Sequence, residues 1–293
     1  MKHGILLRLM LFSVLCFNTI YPADLIIFSY DRPMQLYALL ESCEKYITGI
    51  TSATVICRVS SPDYQIGYDL VQNRFPVVDF VRQQNPPHDF RILVEDAAFK
   101  KNKSNYVLFA VDDIIVKDFV DLQSCANLLE KHKVYCFLLR LSPHIDYCYM
   151  LDKTTPPPLL KKVEADVYKY CFKEGKGDWC YPNNVDMTLY RKQDIYHAIM
   201  SNAWTNPNQL EGSWASKSNL NQFGLIFDDS KIINIPMNLV NQSSNRAMHS
   251  HSTTELLKSF LIGEKIDISR FDRIKNNSAH IAYNINFISN SLI

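Results

Sequence analysis

The chain has 293 residues, of which 47% are hydrophobic and 21% are charged, and its formal net charge is +1. This balance allows a buried core, excludes a disordered chain and gives no electrostatic reason to expect nucleic-acid binding. The eight glycines are scattered, and the G-x-G-x-x-G, P-loop and G-x-S-x-G motifs are all absent. Standard dinucleotide-binding dehydrogenases, P-loop NTPases, protein kinases and elbow-type hydrolases are therefore excluded.

Residues 1–23 are typical of a targeting segment, because Lys2 and Arg8 accompany an apolar run from Leu9 to Phe17. That run is shorter than the roughly 20 residues that a transmembrane helix needs, which favours a cleaved signal peptide. An uncleaved N-terminal anchor and a buried helix are the alternatives. We expect an exported or membrane-associated protein, and a cytoplasmic location remains open.

Strand and helix patterns alternate from Asp24 to about Leu141. Continuous apolar or β-branched runs predict buried strands, and longer amphipathic stretches predict helices between them. This order predicts an α/β fold with a mostly parallel central sheet, covered by helices on both faces, whose strand carboxyl ends open on one ligand cleft. The predicted strands are 24–30, 52–60, 76–83, 106–113 and 134–141. One helix is predicted to begin at Pro33, and three more are predicted over 63–75, 89–102 and 118–132.

The rhythm changes after Leu141. A strand leading into a helix is predicted over 183–195, a further helix opens near Leu210, and two closing strands lie within 224–240. An amphipathic helix is predicted near Glu255–Ile262. Since no clear linker interrupts the chain, we expect one domain over 24–240 with a C-terminal extension, 241–293, packed on it.

The eight cysteines include no C-x-x-C pair, which argues against a zinc ribbon or a thioredoxin-type site. Cys171 and Cys180 flank a turn-rich segment. They would either form a disulfide in an exported protein or remain reduced.

Two adjacent carboxylates, Asp112 and Asp113, interrupt an apolar run in the segment FAVDDIIV. Buried carboxylates are costly without a partner, and at the carboxyl end of a strand they would point into the ligand cleft. Such a pair suits Mg²⁺ or Mn²⁺, which also takes phosphate oxygens. The alternative is a strand-to-turn transition in which Asp113 caps the next element.

The segments FSYDRPMQLYALLES, FAVDDI and QLEGSW together resemble the GT-A glycosyltransferases, particularly bacterial family 2-like members, over about residues 24–240. The resemblance implies a Rossmann-like three-layer sandwich. It also implies metal-dependent transfer of a sugar from a nucleotide-diphosphate sugar, with a UDP-sugar expected, to a hydroxyl of a glycan, lipid or protein. Mn²⁺ or Mg²⁺ would be the cofactor, and the transfer would invert the anomeric centre.

The resemblance also implies roles for individual residues. Asp31, Arg32, Asp112 and the more distant Asp63 would contact the nucleotide. Asp113 would hold the metal, and Glu211, placed at a loop-to-helix transition, would deprotonate the acceptor hydroxyl and so act as the catalytic base.

Four other residues have two readings each. His249 would complete the metal shell or would be a polar loop residue. The aromatic residues Trp179, Tyr181 and Trp214 would stack on acceptor sugars or would belong to the core. The alternative for the whole protein is an exported α/β sugar-binding or interaction protein that kept a glycosyltransferase fold without turnover.

Overall fold

The computed structural model describes residues 23–101, 104–240 and 246–290. The expected targeting segment lies outside these ranges except for Ala23, so the leader remains a prediction. None of the helices within the described ranges is long and apolar enough to cross a membrane.

Strands and helices alternate through the first half of the described chain. The helices are α1 (Pro33–Tyr46), α2 (Pro62–Arg74), α3 (Phe90–Glu95, continued by a π-helical turn over Asp96–Lys100), α4 (Leu122–His132), α5 (Lys192–Met200), α6 (Pro207–Ala215) and α7 (Thr253–Leu261). The strands are β1 (Ala23–Tyr30), β2 (Ile47–Thr48), β3 (Ile50–Arg58), β4 (Asp79–Arg82), β5 (Tyr106–Val111), β6 (Ile114–Val116), β7 (Val120–Asp121), β8 (Cys136–Leu138), β9 (Tyr147–Cys148), β10 (Lys153–Thr154), β11 (Lys161–Lys162), β12 (Val167–Cys171), β13 (Thr188–Arg191), β14 (Phe223–Phe227), β15 (Ile232–Asn234), β16 (Glu264–Ile266) and β17 (Phe287–Ser289).

One large sheet organises the fold, with nine described strands in the order β11-β12-β14-β8-β13-β5-β1-β3-β4. β1 pairs in parallel with β3 and β5, and β3 pairs in parallel with β4. The prediction that these four strands share one parallel sheet is confirmed, and with it the α/β fold class. β13 is antiparallel to both of its neighbours. The sheet is therefore mixed on that side.

Helices cover both faces of the sheet because its central strands bury both faces. In β1, Leu25 and Ile27 face one core, while Ile26 and Phe28 face the other. Side chains of α1, α2, α4 and α7 fill the first core, and those of α3, α5 and α6 fill the second. This alternation of side chains makes the three layers that the apolar strand patterns predict.

The chain leaves the large sheet at Asp112. The strand predicted over 106–113 ends at Val111, and Asp112 and Asp113 form a turn before β6. β6 then pairs antiparallel with β15 in a separate two-stranded sheet. The two carboxylates therefore lie where the backbone turns away from the carboxyl edge of the sheet.

Helix α6 begins earlier than predicted. The Asn206 side chain accepts a hydrogen bond from the Gln209 N–H at 3.0 Å, and Pro207 occupies the first helical position. Both features favour a helix start at Asn206. Glu211 therefore lies within the helix rather than at its opening, which corrects the prediction of a start near Leu210.

The C-terminal residues pack against α1 and β15. Ser252 and Glu255 form a capping box at the start of α7, and the Phe260 ring lies 5.6 Å from the Tyr37 ring of α1. Further along, His280 forms a parallel bridge with Asn234 of β15. These contacts bring the end of the chain to the carboxyl edge of the central strands.

Candidate active site

A cavity of about 620 Å³ opens at the carboxyl ends of β1, β3 and β5. We call it the main cavity. Open α/β sheets generally bind ligands at this edge. Its polar lining includes Tyr30, Arg32, Arg58, Gln83, Asp112, Asp113, Arg140, Asp178, Tyr181, Asp186, Asn234, Asn238, Glu211, Arg246 and His280.

The Arg32 guanidinium and the Asp112 carboxylate form a buried ion pair on the wall of the main cavity. Arg32 Nη1 donates to Asp112 Oδ1 at 2.8 Å, and its Nε donates to Asn238 Oδ1 at 2.8 Å. Asp112 Oδ2 accepts from Ser29 Oγ at 2.8 Å and from the Tyr30 N–H at 3.2 Å. Since both carboxylate oxygens are engaged, Asp112 positions the loop after β1.

Asp113 differs from its neighbour in having a free oxygen. Its Oδ1 is buried and has no hydrogen-bond partner among the described residues, and its Oδ2 lies 3.6 Å from Arg32 Nη1. Burial raises the pKa of Asp113 to about 7; Arg32 opposes this shift, and Asp112 and Asp186 add to it. An unpartnered carboxylate oxygen at a strand end is the chemistry that a hard divalent cation uses.

Glu211 reaches the main cavity from α6. Its Oε1 accepts a hydrogen bond from the Val185 N–H at 3.0 Å. Burial raises the pKa of Glu211 to about 8, and Asp186 adds to the shift, while the Val185 N–H and Arg140 oppose it. A carboxylate with a raised pKa is a stronger base once it has lost its proton.

The structure adds a buried ion pair that the sequence reasoning missed. Arg140 Nη1 donates to Asp178 Oδ1 at 2.7 Å, and both residues line the main cavity. Burial alone would raise the pKa of Asp178, but Arg140, followed by His280, holds it below its usual value. The sequence feature that could have indicated this ion pair is the arginine within the apolar strand run VYCFLLRL.

Asp186 was also missed. It is buried, lines the main cavity, and accepts a hydrogen bond from Asn234 Nδ2 at 3.1 Å through Oδ1. Its charge raises the pKa of both Asp113 and Glu211. Asp186 therefore couples the two residues electrostatically. It stands in the segment NNVDM, where only the tertiary arrangement distinguishes it from a turn aspartate.

Tyr30, Arg58 and Gln83 form the end of the main cavity nearest β3 and β4. The Arg58 guanidinium carbon lies 4.5 Å from the centroid of the Tyr30 ring. Each of the three residues lies at or just after the carboxyl end of its strand. No role in binding was predicted from the sequence for Arg58 or Gln83.

Two predicted nucleotide-binding residues lie elsewhere. The Asp31 carboxylate accepts hydrogen bonds from the Ser60 N–H at 2.9 Å and the Ser60 hydroxyl at 2.5 Å, so it joins the loops after β1 and β3. Asp63 is exposed in the first turn of α2. Neither lines the main cavity, whereas Arg32 and Asp112 do.

Two of the three predicted acceptor-binding aromatic residues belong to the core. Trp179 is fully buried, and its Nε1 donates to the Ile145 carbonyl at 3.0 Å. Trp214 is fully buried against Tyr190, with ring centroids 4.9 Å apart. Both placements correct the expectation of sugar stacking, because these large apolar rings are buried in the core, where a sugar cannot reach them. Tyr181 does line the main cavity.

His249 is exposed and does not line the main cavity, which corrects its expected place in a metal shell. Within residues 23–101, 104–240 and 246–290, no three or more His, Cys, Asp or Glu side chains are arranged to hold a metal ion. Asp113 nevertheless fits a cation that is held mainly by ligand phosphates, since Mg²⁺ sites commonly use one or two carboxylates with substrate oxygens.

The cysteines of the described ranges are free thiols. The Cys171 thiol donates to the Leu220 carbonyl at 3.6 Å, and the Cys180 thiol donates to the Gly177 carbonyl at 3.3 Å. Of the two readings for this pair, the structure has the reduced one.

The chain is similar in sequence to a known glycosyltransferase. Over 214 residues, the chain is 28% identical to the bifunctional glycosyltransferase pgtA of Dictyostelium discoideum. The match covers 64% of this chain and 27% of that protein. The predicted likeness to glycosyltransferases is thereby confirmed, although the chain spans only about a quarter of the relative's length. No family model matches the chain.

Two solved structures with a bound nucleotide are among the similar folds. Residues 1–349 of S. aureus TarS in complex with UDP match with 14% identity and a TM-score of 0.48, covering 72% of this chain and 59% of that one. GalNAc-T7 with UDP, GalNAc and Mn²⁺ matches with 10% identity and a TM-score of 0.49, covering 82% of this chain and 47% of that one.

Proposed function

We propose that the protein is a glycosyltransferase that moves a sugar from a UDP-sugar to an acceptor hydroxyl, with Mg²⁺ or Mn²⁺ and with inversion of the anomeric centre. One observation carries this proposal. The main cavity, at the carboxyl edge of parallel strands, holds two acidic side chains of raised pKa, Asp113 and Glu211, on two different elements. The similarity to a glycosyltransferase sequence supports it.

The nucleotide would lie across the ends of β1, β3 and β4. Tyr30 and Arg58 offer an aromatic face and a planar cation to a base, and Gln83 offers amide hydrogen bonds. Asp112 and Asn238 hold Arg32 rigidly, so its charge is directed at the diphosphate without a large cost in side-chain entropy.

Asp113 would hold the metal ion through its free oxygen, together with diphosphate oxygens. A bound divalent cation would neutralise the negative charge that develops on the departing diphosphate. Arg32, 3.6 Å from Asp113 Oδ2, would stabilise the same charge from the side of the protein.

Glu211 would take the proton of the acceptor hydroxyl. The Val185 N–H holds Oε1, so Oε2 is left for the acceptor. As the acceptor oxygen bonds to the anomeric carbon, the bond to the diphosphate breaks, its electron pair leaves with UDP, and the proton passes to Glu211. A single displacement of this kind inverts the anomeric centre.

The test is isothermal titration of UDP with and without Mn²⁺, followed by a screen of UDP-sugars for metal-dependent hydrolysis. We expect Mn²⁺-dependent UDP binding and turnover of at least one UDP-sugar. NMR of the transfer product would then give its anomeric configuration. Absence of binding to any nucleotide would overturn the proposal in favour of a non-catalytic relative.

We also propose export or membrane association through residues 1–23. Mass spectrometry of the protein recovered from its native cell would give its N-terminus and its compartment. A mature chain that begins near Asp24 would support cleavage, and an intact cytoplasmic chain would contradict the proposal.

A further inference from the structure

A second opening, of about 910 Å³, lies beside the main cavity and shares Arg246 and His280 with it. We call it the side groove. The loop around residues 144–149 and the C-terminal residues 274–283 form its walls. The two openings therefore adjoin at these two residues.

Backbone hydrogen bonds hold the two walls together. The Asp146 and Tyr147 N–H groups both donate to the Asn277 carbonyl at 3.0 Å. On the other side, the Asn234 N–H donates to the Ala279 carbonyl at 3.0 Å, and the Ile281 N–H donates to the Asn234 carbonyl at 2.9 Å. The C-terminal segment is thus attached both to the loop and to β15. The shape of the side groove is therefore fixed by backbone hydrogen bonds on both of its walls.

The side groove has the lining expected of a site for a neutral sugar. Its lining includes the rings of Tyr147 and Tyr283, and that of the buried Tyr149, which lies 4.4 Å from the Arg246 guanidinium carbon. The amides of Asn276, which is bonded to Ser230 and Ser278, and of Asn277 lie beside them. Amphipathic aromatic rings pack on the apolar faces of a sugar ring, and amides both donate to and accept from its hydroxyl groups.

The charges of the side groove are already paired within the protein. Arg246 Nη1 lies 3.0 Å from Asp152 Oδ1, and Lys275 Nζ lies 2.5 Å from Asp229 Oδ2. Among the described residues that line it, none is Asp or Glu. An anionic ligand would have to compete with Asp152 and Asp229 for the two cations.

His280 marks the junction between the two openings. Its Nδ1 is buried and has no hydrogen-bond partner among the described residues. Buried polar atoms are rarely left unpaired, so a ligand hydroxyl at the junction would satisfy this nitrogen.

We propose that the side groove binds a neutral saccharide acceptor and directs its reacting hydroxyl past His280 to Glu211. This inference rests on the proposed function and narrows it, because it names a glycan as the acceptor. It also replaces Trp179 and Trp214 with Tyr147, Tyr149 and Tyr283 as the aromatic contacts of the acceptor.

The experiment is saturation-transfer difference NMR on the full chain, with and without saturating UDP and Mn²⁺. The probes are methyl glycosides of glucose, galactose, mannose and N-acetylglucosamine, and lactose. Two groove variants are compared with wild type: Tyr147→Ala removes one ring, and Ala282→Trp fills the groove from an exposed position without removing a native contact. Tyr168→Ala, on β12 and outside both openings, is the matched control.

We expect saturation transfer to at least one glycoside, at least about fivefold weaker binding in both groove variants, and no change in Tyr168→Ala. No contact with any glycoside would overturn the inference, as would groove variants that bind like wild type. If UDP binds but no glycoside does, the inference alone fails. If a glycoside binds in the groove but no nucleotide binds anywhere, the groove inference stands and the transferase proposal fails.

Discussion

At the scale of single residues, the acidic groups of the main cavity differ in how fully their oxygens are bonded. Asp112 has both oxygens engaged, whereas Asp178 is bonded to Arg140 through Oδ1 and keeps Oδ2 without a partner among the described residues. Asp113 keeps a buried oxygen without a partner in the described ranges, and Glu211 is held through Oε1 by a backbone N–H. What separates Asp113 and Glu211 from Asp178 is the direction of the pKa shift, which is upward for the first two and downward for Asp178. Acidic groups with raised pKa values in a cleft are a usual mark of chemistry.

Asp113→Asn is expected to abolish Mn²⁺-dependent UDP binding, with a loss of at least tenfold in affinity, while the thermal midpoint changes little. The reason is that an amide oxygen cannot supply the charge of the free carboxylate oxygen. Isothermal titration measures this. Asp63→Asn is the control, since Asp63 lies outside the main cavity. Wild-type metal dependence in Asp113→Asn would contradict the assignment.

Glu211→Gln is expected to fold, to bind UDP and to lose at least about 100-fold in transfer rate, because a general base typically contributes about 10²–10⁴-fold. The amide oxygen can still accept from the Val185 N–H. Initial rates of transfer measure the loss. Glu174→Gln, an exposed glutamate outside the main cavity, is the control. Near-normal turnover in Glu211→Gln would show that the proton goes elsewhere.

The pH profile of kcat/KM should show an inflection at the raised pKa of Glu211. Because this pKa is about 8, the group is protonated at lower pH and cannot act as a base. The rate should therefore fall about tenfold per pH unit below that value and level off above it. A pH–rate profile checks this, and Glu211→Gln should lack that limb. A wild-type profile that is flat between pH 6 and about pH 8 would contradict the assignment.

At the scale of elements, two helical glycines stand in opposite surroundings. A Cβ added at Gly67 of α2 would lie 2.7 Å from Pro33 Cγ and 3.0 Å from Leu257 Cδ1, where α2 meets α1 and α7. A Cβ at Gly212 of α6 would meet nothing within 4 Å. Gly67 therefore permits close helix packing, whereas Gly212 only lowers the helix propensity of α6.

Replacing each of these two glycines by alanine should change the free energy of unfolding in opposite directions. Gly67→Ala should lower the free energy of unfolding by about 1–3 kcal/mol through overpacking. Gly212→Ala should raise it by up to about 1 kcal/mol, because alanine is the better helix former. Denaturant titration of both variants and wild type measures the difference. A destabilised Gly212→Ala would mean that α6 is not a continuous helix at this residue.

At the scale of the whole molecule, the two ends of the central strands serve different purposes. The carboxyl end of β1 opens on the main cavity, whereas the amino end holds a buried ion pair in which Lys192 Nζ lies 2.5 Å from Asp24 Oδ2. Ser104 Oγ also donates to the Asp24 carboxylate at 2.7 Å. This end of the sheet joins β1 to α5 and is remote from the site.

Lys192→Met should cost about 3–5 kcal/mol of stability, since it leaves the buried Asp24 carboxylate without its cation. UDP affinity below the melting transition should be unchanged. Thermal unfolding and isothermal titration test the two halves of this prediction. Lys131→Met is the control, because its ion pair with Glu164 is exposed and should contribute about 1 kcal/mol or less. Weakened UDP binding in folded Lys192→Met would contradict the separation of the two ends.

The sequence alone determined the parallel centre of the fold, because the doubly buried strands β1, β3 and β5 must be apolar on both faces and so stand out as continuous runs. It also located Asp112 and Asp113, since charged residues next to such runs need partners or ligands. The resemblance to the GT-A glycosyltransferases located Arg32 and Glu211. These four residues do meet in the main cavity.

Only the tertiary structure decided which charged groups are satisfied and which are free. Asp112 and Asp113 are adjacent in sequence, yet only Asp113 keeps an unpartnered oxygen, because Arg32 and Ser29 reach its neighbour. The placement of Asp186 and His280 likewise depends on contacts made by residues far apart in the chain. The local sequence pattern predicts which side chains are buried, because burial follows from the spacing of the hydrophobic residues. Which polar atoms find a hydrogen-bond partner is decided only when segments that are distant in the chain come together.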